Sequence, residues 1–445
     1  MKQVQKKSAD KAVNAILIQA KRSGVELAWD RAESQQPQCG FGRLNLCCTD
    51  CGEGPCRINP FDESEAKTVC GRARNATESD IFLRKVSDGA AALMLLAGAC
   101  GEKNASTVIT TADEMVGTFD MTSRMKELGQ SAAQSLQAIN KATDALAMKA
   151  PPTLKVNLGA LCAEMPNILV YGHVSPGKVK GLLQYAAQIS PTANILGVCG
   201  GEGEGLLSIA TNYVSQEIPL LTKAVDVLLV GPQCVMPATL ELAAAQGTTV
   251  IYEKNLHTPE DLKKVVDQAV AAFSRRTGKA TSIPGEQAML HNAPGRNGNG
   301  WAQTLVQQVA TANSRGLAFL GGCGRVGQTQ DKEFVMVAEQ LMNEGWRVVS
   351  AGCAGAALAK AGLCKDGEVV YLGSCHDAGR FLELVQAAGV AGVATRAEFR
   401  EVTHNKVLAT AVAFAVNEVA TRIDQGDACW PDDVGCNGYL KAVEN

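Results

Sequence analysis

Six thiols fall close together near the N-terminus: Cys39, Cys47, Cys48, Cys51, Cys56 and Cys70. Gly40, Gly42, Gly52, Gly54, Pro55 and Pro60 lie among them, and few apolar side chains do. Such a segment cannot pack as a helix or strand by itself, so a cross-link must hold it. Iron–sulfur clusters use cysteine thiolates in tight local groups, usually four per cluster. Cys48, Cys51, Cys56 and Cys70 make one such set. Cys39 and Cys47 are two short of a second, and a two-fold axis would complete it with the same pair from another subunit. Structural zinc and disulfides are the alternatives. Zinc prefers two separated C-x2-C knuckles, and only one is present. Disulfides need an oxidising compartment.

A second set of ligand-type residues is spread through the C-terminal two thirds. His173, Cys199, Cys234, Cys323, Cys353 and Cys375 each follow a short apolar run and stand beside a glycine or within three residues of one, as in NILVYGH, NILGVCG and LAFLGGC. In open α/β sheets, sites form beyond the carboxyl ends of the strands. A lone cysteine after a strand is usually a small buried hydrophobe. Five of them with one histidine, in the same topological place, exceed what one zinc ion needs and suit a larger, asymmetric iron-containing cluster.

The elements that must carry these groups can be read in outline. From Ala76 to about Ala150 the chain reads helical and Ala-rich, and Pro151-Pro152 closes that region. Beyond it, β-branched runs at 167–171, 194–198, 224–230 and 249–252 alternate with helical stretches, which argues parallel βαβ units. Residues 281–300 read as loop, and a second series follows at 317–320, 347–350 and 368–372. The expected fold is α/β: an N-terminal helical domain carrying Fe–S clusters (1–152), then two Rossmann-like, doubly wound domains (153–300 and 301–445). With 445 residues, 46% apolar content, 4% aromatic content and 44 glycines, the chain suits tight strand–helix turns. A net charge of −3 argues against a nucleic-acid footprint. The N-terminus lacks an apolar core and reads as an amphipathic surface helix, not a signal peptide. No apolar run reaches 18 residues, so no membrane span is expected. Sixteen cysteines without an export signal point to metal and to the cytoplasm, of an anaerobe.

These motifs together resemble the anaerobic nickel–iron carbon monoxide dehydrogenases and their relatives, the hybrid-cluster (hydroxylamine reductase-like) proteins. The ladder with GPCRI at 54–58 carries the likeness. So do VNLGALCAEMPNILVYGH (156–173), NYVSQEIPLLTKAVDVLLVGPQCVMP (212–237), LGGCGRVGQTQD (320–331), AGCAGAALAKAG (351–362), LGSCHDAGR (372–380) and HNKVLAT (404–410). The resemblance implies an Fe–S cluster bridging a homodimer through Cys39 and Cys47. It implies a [4Fe–4S] cluster on Cys48, Cys51, Cys56 and Cys70 within each subunit. It further implies an active-site Ni–Fe–S cluster on His173, Cys234, Cys323, Cys353 and Cys375, with Cys375 on the nickel side. Lys406 aligns with the catalytic lysine. The implied reaction is CO + H2O to CO2, two protons and two electrons, passed to a ferredoxin-like carrier. This chain departs from the pattern in places. It is short, with the deficit near 100–152. Leu93 stands where an acid–base histidine is expected. Cys199-Gly200 replaces a Cys-Cys pair, so Cys199 or Glu202 would complete the metal set. An oxygen ligand would favour an Fe–S–O hybrid cluster reducing hydroxylamine or a similar small molecule. His376, next to Cys375, is the candidate to supply the proton relay that Leu93 cannot. His257, His291 and His404 are expected at the surface or beside the site, Cys100, Cys162 and Cys364 as buried small side chains, and Cys429 and Cys436 as a possible metal pair.

Overall fold

The computed structural model describes residues 6–59, 66–99, 121–189, 192–199, 205–276, 283–293, 298, 300–312, 314–364, 367–424 and 439–440. Gly200, Glu202, Cys100, Cys429 and Cys436 lie outside them.

The N-terminal helix α1 (Lys11–Arg22) starts where Asp10 accepts the Ala12 N–H at 2.8 Å. It buries Ala12, Val13, Ile16 and Ala20 on one face. Helices α2 (Ala28–Ser34) and α3 (Gly40–Arg43) lead into a two-stranded hairpin, β1 (Cys47–Cys48) and β2 (Cys56–Arg57), with Cys48 opposite Cys56. Two long helices follow, α4 (Arg74–Ala99) and α5 (Met121–Ala145). They pack against each other and against α14 (Asn405–Ala415), which is buried along its whole length.

Two open sheets form the rest. The first runs β8 (Thr249–Tyr252), β7 (Val227–Val230), β4 (Asn167–Tyr171), β5 (Asn194–Val198), β6 (Ser208–Thr211), β3 (Thr153–Val156), β9 (Ala288–His291). All pairings are parallel except β3 with β9. The second runs β12 (Val369–Tyr371), β11 (Trp346–Ser350), β10 (Gly316–Gly321), β13 (Ala394–Phe399), β14 (Ala420–Ile423), β15 (Tyr439–Leu440). Only β15 is antiparallel. Helices α6 (Pro176–Ala186), α7 (Ile218–Leu221), α8 (Pro237–Ala245) and α9 (Pro259–Arg276) connect the first sheet. Helices α10 (Trp301–Thr311), α11 (Lys332–Asn343), α12 (Gly352–Lys360) and α13 (Gly379–Ala391) lie in the second half. The central strands β4 and β10 are buried at every position, as the covered strands of parallel sheets are. The α/β class is as expected. The stretch read as loop at 281–300 contains β9, an edge strand too short to stand out without its partner β3.

This topology fixes where a site can form. In the first sheet the chain turns from β4 outward in both directions, so β4 and β7 are neighbours whose connections leave on opposite sides. In the second, β10 and β13 are such a pair. A crevice opens at the carboxyl ends of each pair. The floor beneath the second crevice is rigid. Phe319, Phe381, Phe399 and Phe414 form a ring cluster with centroids 5.1–5.5 Å apart. Each such contact contributes about 0.5–1.5 kcal/mol beyond burial. Phe414 sits near the end of α14, so that helix is anchored to the floor beneath the crevice.

Candidate metal centre

The two crevices face each other. His173 leaves β4 and Cys234 follows β7; Cys323 follows β10, and His404 and Lys406 follow β13 at the start of α14. Cys199 ends β5, Cys353 lies in the first turn of α12, and Cys375 opens the short helix after β12. Cys199 Sγ lies 3.9 Å from Cys353 Sγ, a contact between the two sheets. Cys375 Sγ lies 3.5 Å from His173 Nε2, another. One atom each of His173, Cys375 and His376 falls within a 4.8 Å group, a span that one metal ion could bridge.

The backbone is bent to bring these groups in. His173 (φ 60°), Cys199 (φ 36°) and Cys234 (φ 60°) all take left-handed conformations. For a side chain other than glycine this costs about 1–2 kcal/mol each, and such strain concentrates at functional sites. Two glycines make the approach possible. A Cβ on Gly231 would stand 2.0 Å from the Gly172 carbonyl oxygen, so only glycine lets the β4 and β7 loops touch. A Cβ on Gly352 would stand 2.9 Å from the Cys375 Cβ, so its absence leaves room for that thiol.

His173 is 2% exposed, and burial followed by the Lys406 charge pushes it down to about 3. It is a neutral imidazole with one proton. Its Nε2 accepts from the Lys406 ammonium. The proton therefore sits on Nδ1, which donates to His376 Nδ1 at 2.9 Å. His376 then carries its own proton on Nε2 and donates to Ser374 Oγ at 2.9 Å. Ser374 Oγ donates to Asp377 Oδ2 at 3.0 Å, and the Ser374 N–H donates to the same oxygen at 2.7 Å. One ordered chain thus runs from His173 to a buried carboxylate, each tautomer following from the bond before it.

Lys406 is 4% exposed and keeps its charge. Burial works against the ammonium, but the Cys234 and Cys375 thiols outweigh it and raise its pKa. Its Nζ also donates to Gln233 Oε1 at 3.3 Å, while Gln233 Nε2 donates to the Ala92 carbonyl of α4 at 2.9 Å. Cys234 is held well below the usual thiol range, first by its hydrogen bond with Cys199 and further by Lys406, His173 and His404. Cys199 is pushed well up by its hydrogen bonds to Cys234 and Cys353.

Three contributors were not singled out by their pattern. His404 is only half-buried, yet it reaches into the site rather than out to solvent: its Nδ1 lies 3.4 Å from Cys323 Sγ and its ring stands edge-on to Tyr213 with centroids 4.4 Å apart. Burial disfavours its charged form, but hydrogen bonds to Cys234 and Cys323 raise it to about 10. The Tyr213 N–H donates to Cys353 Sγ at 3.4 Å. Gln233 holds Lys406. Their signal is adjacency: Gln233 precedes Cys234, and His404 stands two residues before Lys406. Leu93 is 1% exposed in the core formed with α5 and α14. His257 and His291 are exposed; Cys364 is buried, whereas Cys162 is only half-buried.

A cavity of about 500 Å³ reaches this centre. Its walls are mostly apolar, with Leu95, Leu96, Ile139, Val235 and Leu240 among them; Lys178, Glu253 and Lys254 also line it, and so do the buried His173 and His376. No helix among the described residues is long and apolar enough to cross a membrane.

The N-terminal thiols lie elsewhere. Cys39, Cys51 and Cys70 are exposed, Cys47 and Cys56 half-buried and Cys48 buried. The hairpin sets Cys48 against Cys56, and Thr68 Oγ1 lies 3.1 Å from Cys70 Sγ.

The Prismane/CO dehydrogenase family model matches residues 102–396, more than half of the chain. Carbon monoxide dehydrogenase 2 of Carboxydothermus hydrogenoformans is 26% identical, over 86% of this chain and 84% of that protein. The carbon monoxide dehydrogenase of Rhodospirillum rubrum is 26% identical, over 80% and 75%. The solved structure of carbon monoxide dehydrogenase IV from Carboxydothermus hydrogenoformans has a TM-score of 0.81 at 22% identity, covering 94% of this chain and 91% of that one. A nickel-free carbon monoxide dehydrogenase from Thermococcus sp. AM4 gives 0.82 at 21%, covering 94% and 89%. At these identities the superpositions speak to the fold, and the match over residues 102–396 to the family: the chain belongs to the Prismane/CO dehydrogenase family of iron–sulfur oxidoreductases.

Proposed function

We propose that this protein interconverts CO and water with CO2, two protons and two electrons, at a Ni–Fe–S cluster held by His173, Cys199, Cys234, Cys323, Cys353 and Cys375. The observation that carries the reading is the meeting of His173, Cys375 and Lys406 with the His376 chain beside a mostly apolar cavity. The donor set fits such a group. Five thiols and one neutral imidazole converge from two sheets, and Gly352 leaves the space beside Cys375 that a Cβ would fill. Soft thiolates suit iron–sulfur and nickel chemistry. When bound, the cluster supplies the carbon-binding site and the two-electron redox change.

The chain's own residues do the rest. His173 turns Nε2 toward Cys375 and Lys406, because its Nδ1 proton is committed to His376; ligation through Nε2 would take the lone pair that Lys406 now holds and free the ammonium. A ligating histidine is usually oriented by such a bond on its other nitrogen. Lys406 would place a fixed positive charge beside the substrate's oxygens, where negative charge develops. His376 accepts from His173 at Nδ1 and holds its own proton at Nε2, where Ser374 and Asp377 keep its tautomer; that proton is the one it can pass on. The mostly apolar cavity admits a small neutral gas and keeps bulk water away.

Cys48, Cys51, Cys56 and Cys70 would hold a [4Fe–4S] cluster within the subunit. Cys39 and Cys47 would share a second across a homodimer, and electrons would leave to a ferredoxin-like carrier in the cytoplasm. The buried, apolar Leu93 favours a second reading: without an acid–base group on α4, the centre would hold an Fe–S–O hybrid cluster and reduce hydroxylamine. Nickel and iron per chain, measured on protein purified without oxygen from nickel-replete cells, separate the two. About one nickel alongside a full iron load supports CO chemistry. Full iron without nickel overturns it in favour of the hybrid cluster.

A further inference from the structure

We propose that Arg72, clamped between the carboxylates of Asp50 and Asp80, sets the reduction potential of the iron–sulfur group on Cys48, Cys51, Cys56 and Cys70. This rests on the assignment of that group made above. A tight turn delivers Arg72 beside Cys70. The Thr68 N–H donates to the Arg72 carbonyl at 2.9 Å, the Arg72 N–H donates to Thr68 Oγ1 at 3.0 Å, and Gly71 between them takes φ 91°. The same Thr68 hydroxyl touches the Cys70 thiol. Asp50, which lies between Cys48 and Cys51, accepts from Arg72 Nη1 at 3.0 Å and pairs with Arg84 Nε at 3.0 Å. Asp80 reaches from α4 to the same Arg72 nitrogen. The side chains of Arg72, Asp50 and Asp80 are only 14%, 9% and 8% exposed.

Burying three charges, with Arg84 one-third exposed beside them, is a poor route to stability, since desolvation consumes most of what ion pairing returns. Their placement favours an electrostatic role. Among the described residues two guanidinium groups meet two carboxylates, so deleting any one member shifts the charge beside the thiols by one. The charges sit next to the thiols in the chain: Asp50 lies one residue from Cys51 and two from Cys48, and Arg72 lies two from Cys70, held there by the Thr68 hydroxyl that also touches the Cys70 thiol. Cluster potentials follow local net charge, hydrogen bonds to sulfur and solvent exposure. Uptake of one electron from a carrier adds one negative charge, which Arg72 stabilises and Asp80 opposes. Arg72 and Asp80 are therefore positioning residues with opposite signs.

The test is an EPR-monitored redox titration of the full chain, purified without oxygen and poised with dithionite at about pH 8, where Asp80 is ionised. The signal is assigned to this site by its loss in Cys51→Ser. Arg72→Gln is expected to lower the midpoint and Asp80→Asn to raise it. Each shift should be at least about tenfold in the oxidised-to-reduced ratio, ~59 mV for one electron, with iron content and line shape kept. Arg72→Lys should stay near the wild type. If Arg72→Gln does not fold, the Asp80→Asn rise and the Arg72→Lys position still decide. Unmoved midpoints, or shifts of the same sign, overturn the inference alone. A wild type without any signal that Cys51→Ser abolishes overturns the cluster assignment and the inference with it.

Discussion

Replacing Lys360 by methionine should cost the fold about 3 kcal/mol or more. The side chain is 5% exposed, with Nζ 3.3 Å from Asp10 Oδ2 and in ion-pair contact with Asp331 Oδ2. Burial works against its charge, but the two carboxylates outweigh burial and raise its pKa. The other carboxylate oxygens are already engaged. Asp10 Oδ1 accepts from the Ala12 N–H and from Asn157 Nδ2, and Asp331 Oδ1 accepts from Asn212 Nδ2 at 2.7 Å. Methionine keeps the stem but removes the cation, leaving two buried carboxylates side by side. Removing one partner of a buried pair costs about 3–5 kcal/mol. The lower figure is the expected minimum. At about 1.4 kcal/mol per tenfold, that is a shift of roughly a hundredfold in the opening equilibrium. Urea unfolding of the full chain, with hydrogen exchange read at α1, measures it. The loss should reach the metal centre, because Asn212 adjoins Tyr213, whose N–H bonds Cys353. A triple variant with Asp10→Asn and Asp331→Asn should recover most of the stability. A Lys360→Met cost below about 1 kcal/mol, or no recovery in the triple variant, would refute the reasoning.

Glu401 is held up to about 7, from an ordinary 4.5, mainly by burial. The folded state therefore keeps its proton between those values while the unfolded state does not. Stability should fall as pH rises through that window, on the order of 2–3 kcal/mol from this group, and the fall should shrink by about that amount in Glu401→Gln when unfolding midpoints are compared at about pH 5 and 8, leaving the part due to Asp80 and His404. Gly231→Ala forces a Cβ into the Gly172 carbonyl and should cost about 1–3 kcal/mol with loss of bound metal. Gly177→Ala, where a Cβ meets open space at the start of α6, should be neutral or slightly stabilising by the same unfolding measurement. His376→Gln should lower CO turnover roughly 100- to 10,000-fold with iron and nickel content unchanged. Metal loss in that variant would instead make His376 a ligand.

Much of the scaffold could be read directly. The runs NILVY, NILGV and TVIY are strands at the residues expected: the first two are apolar beyond their opening Asn because both faces are covered, and TVIY, half-buried at the sheet edge, is marked by its β-branched residues. The strand ATRAEF escaped notice for the opposite reason. Arg396 and Glu398 interrupt it; Glu398 pairs along the strand with Arg396 and Arg400, and folding adds Glu344 beside Arg396 and Glu333 beside Arg400. The edge strand β9 likewise needs its partner.

The amino-acid sequence by itself determined the ligand types and their place at strand ends, since periodicity and glycine turns are local. It also carried the family. Only the tertiary structure decided which of those ends meet. That Cys353 faces Cys199, that His404 turns inward to Cys323, and that His173, His376, Ser374 and Asp377 form one chain with a defined proton order are consequences of two sheets packed edge to edge. Residues some 200 positions apart carry no mutual signal along the chain. Their protonation and charge are set by burial and by neighbours that folding alone supplies.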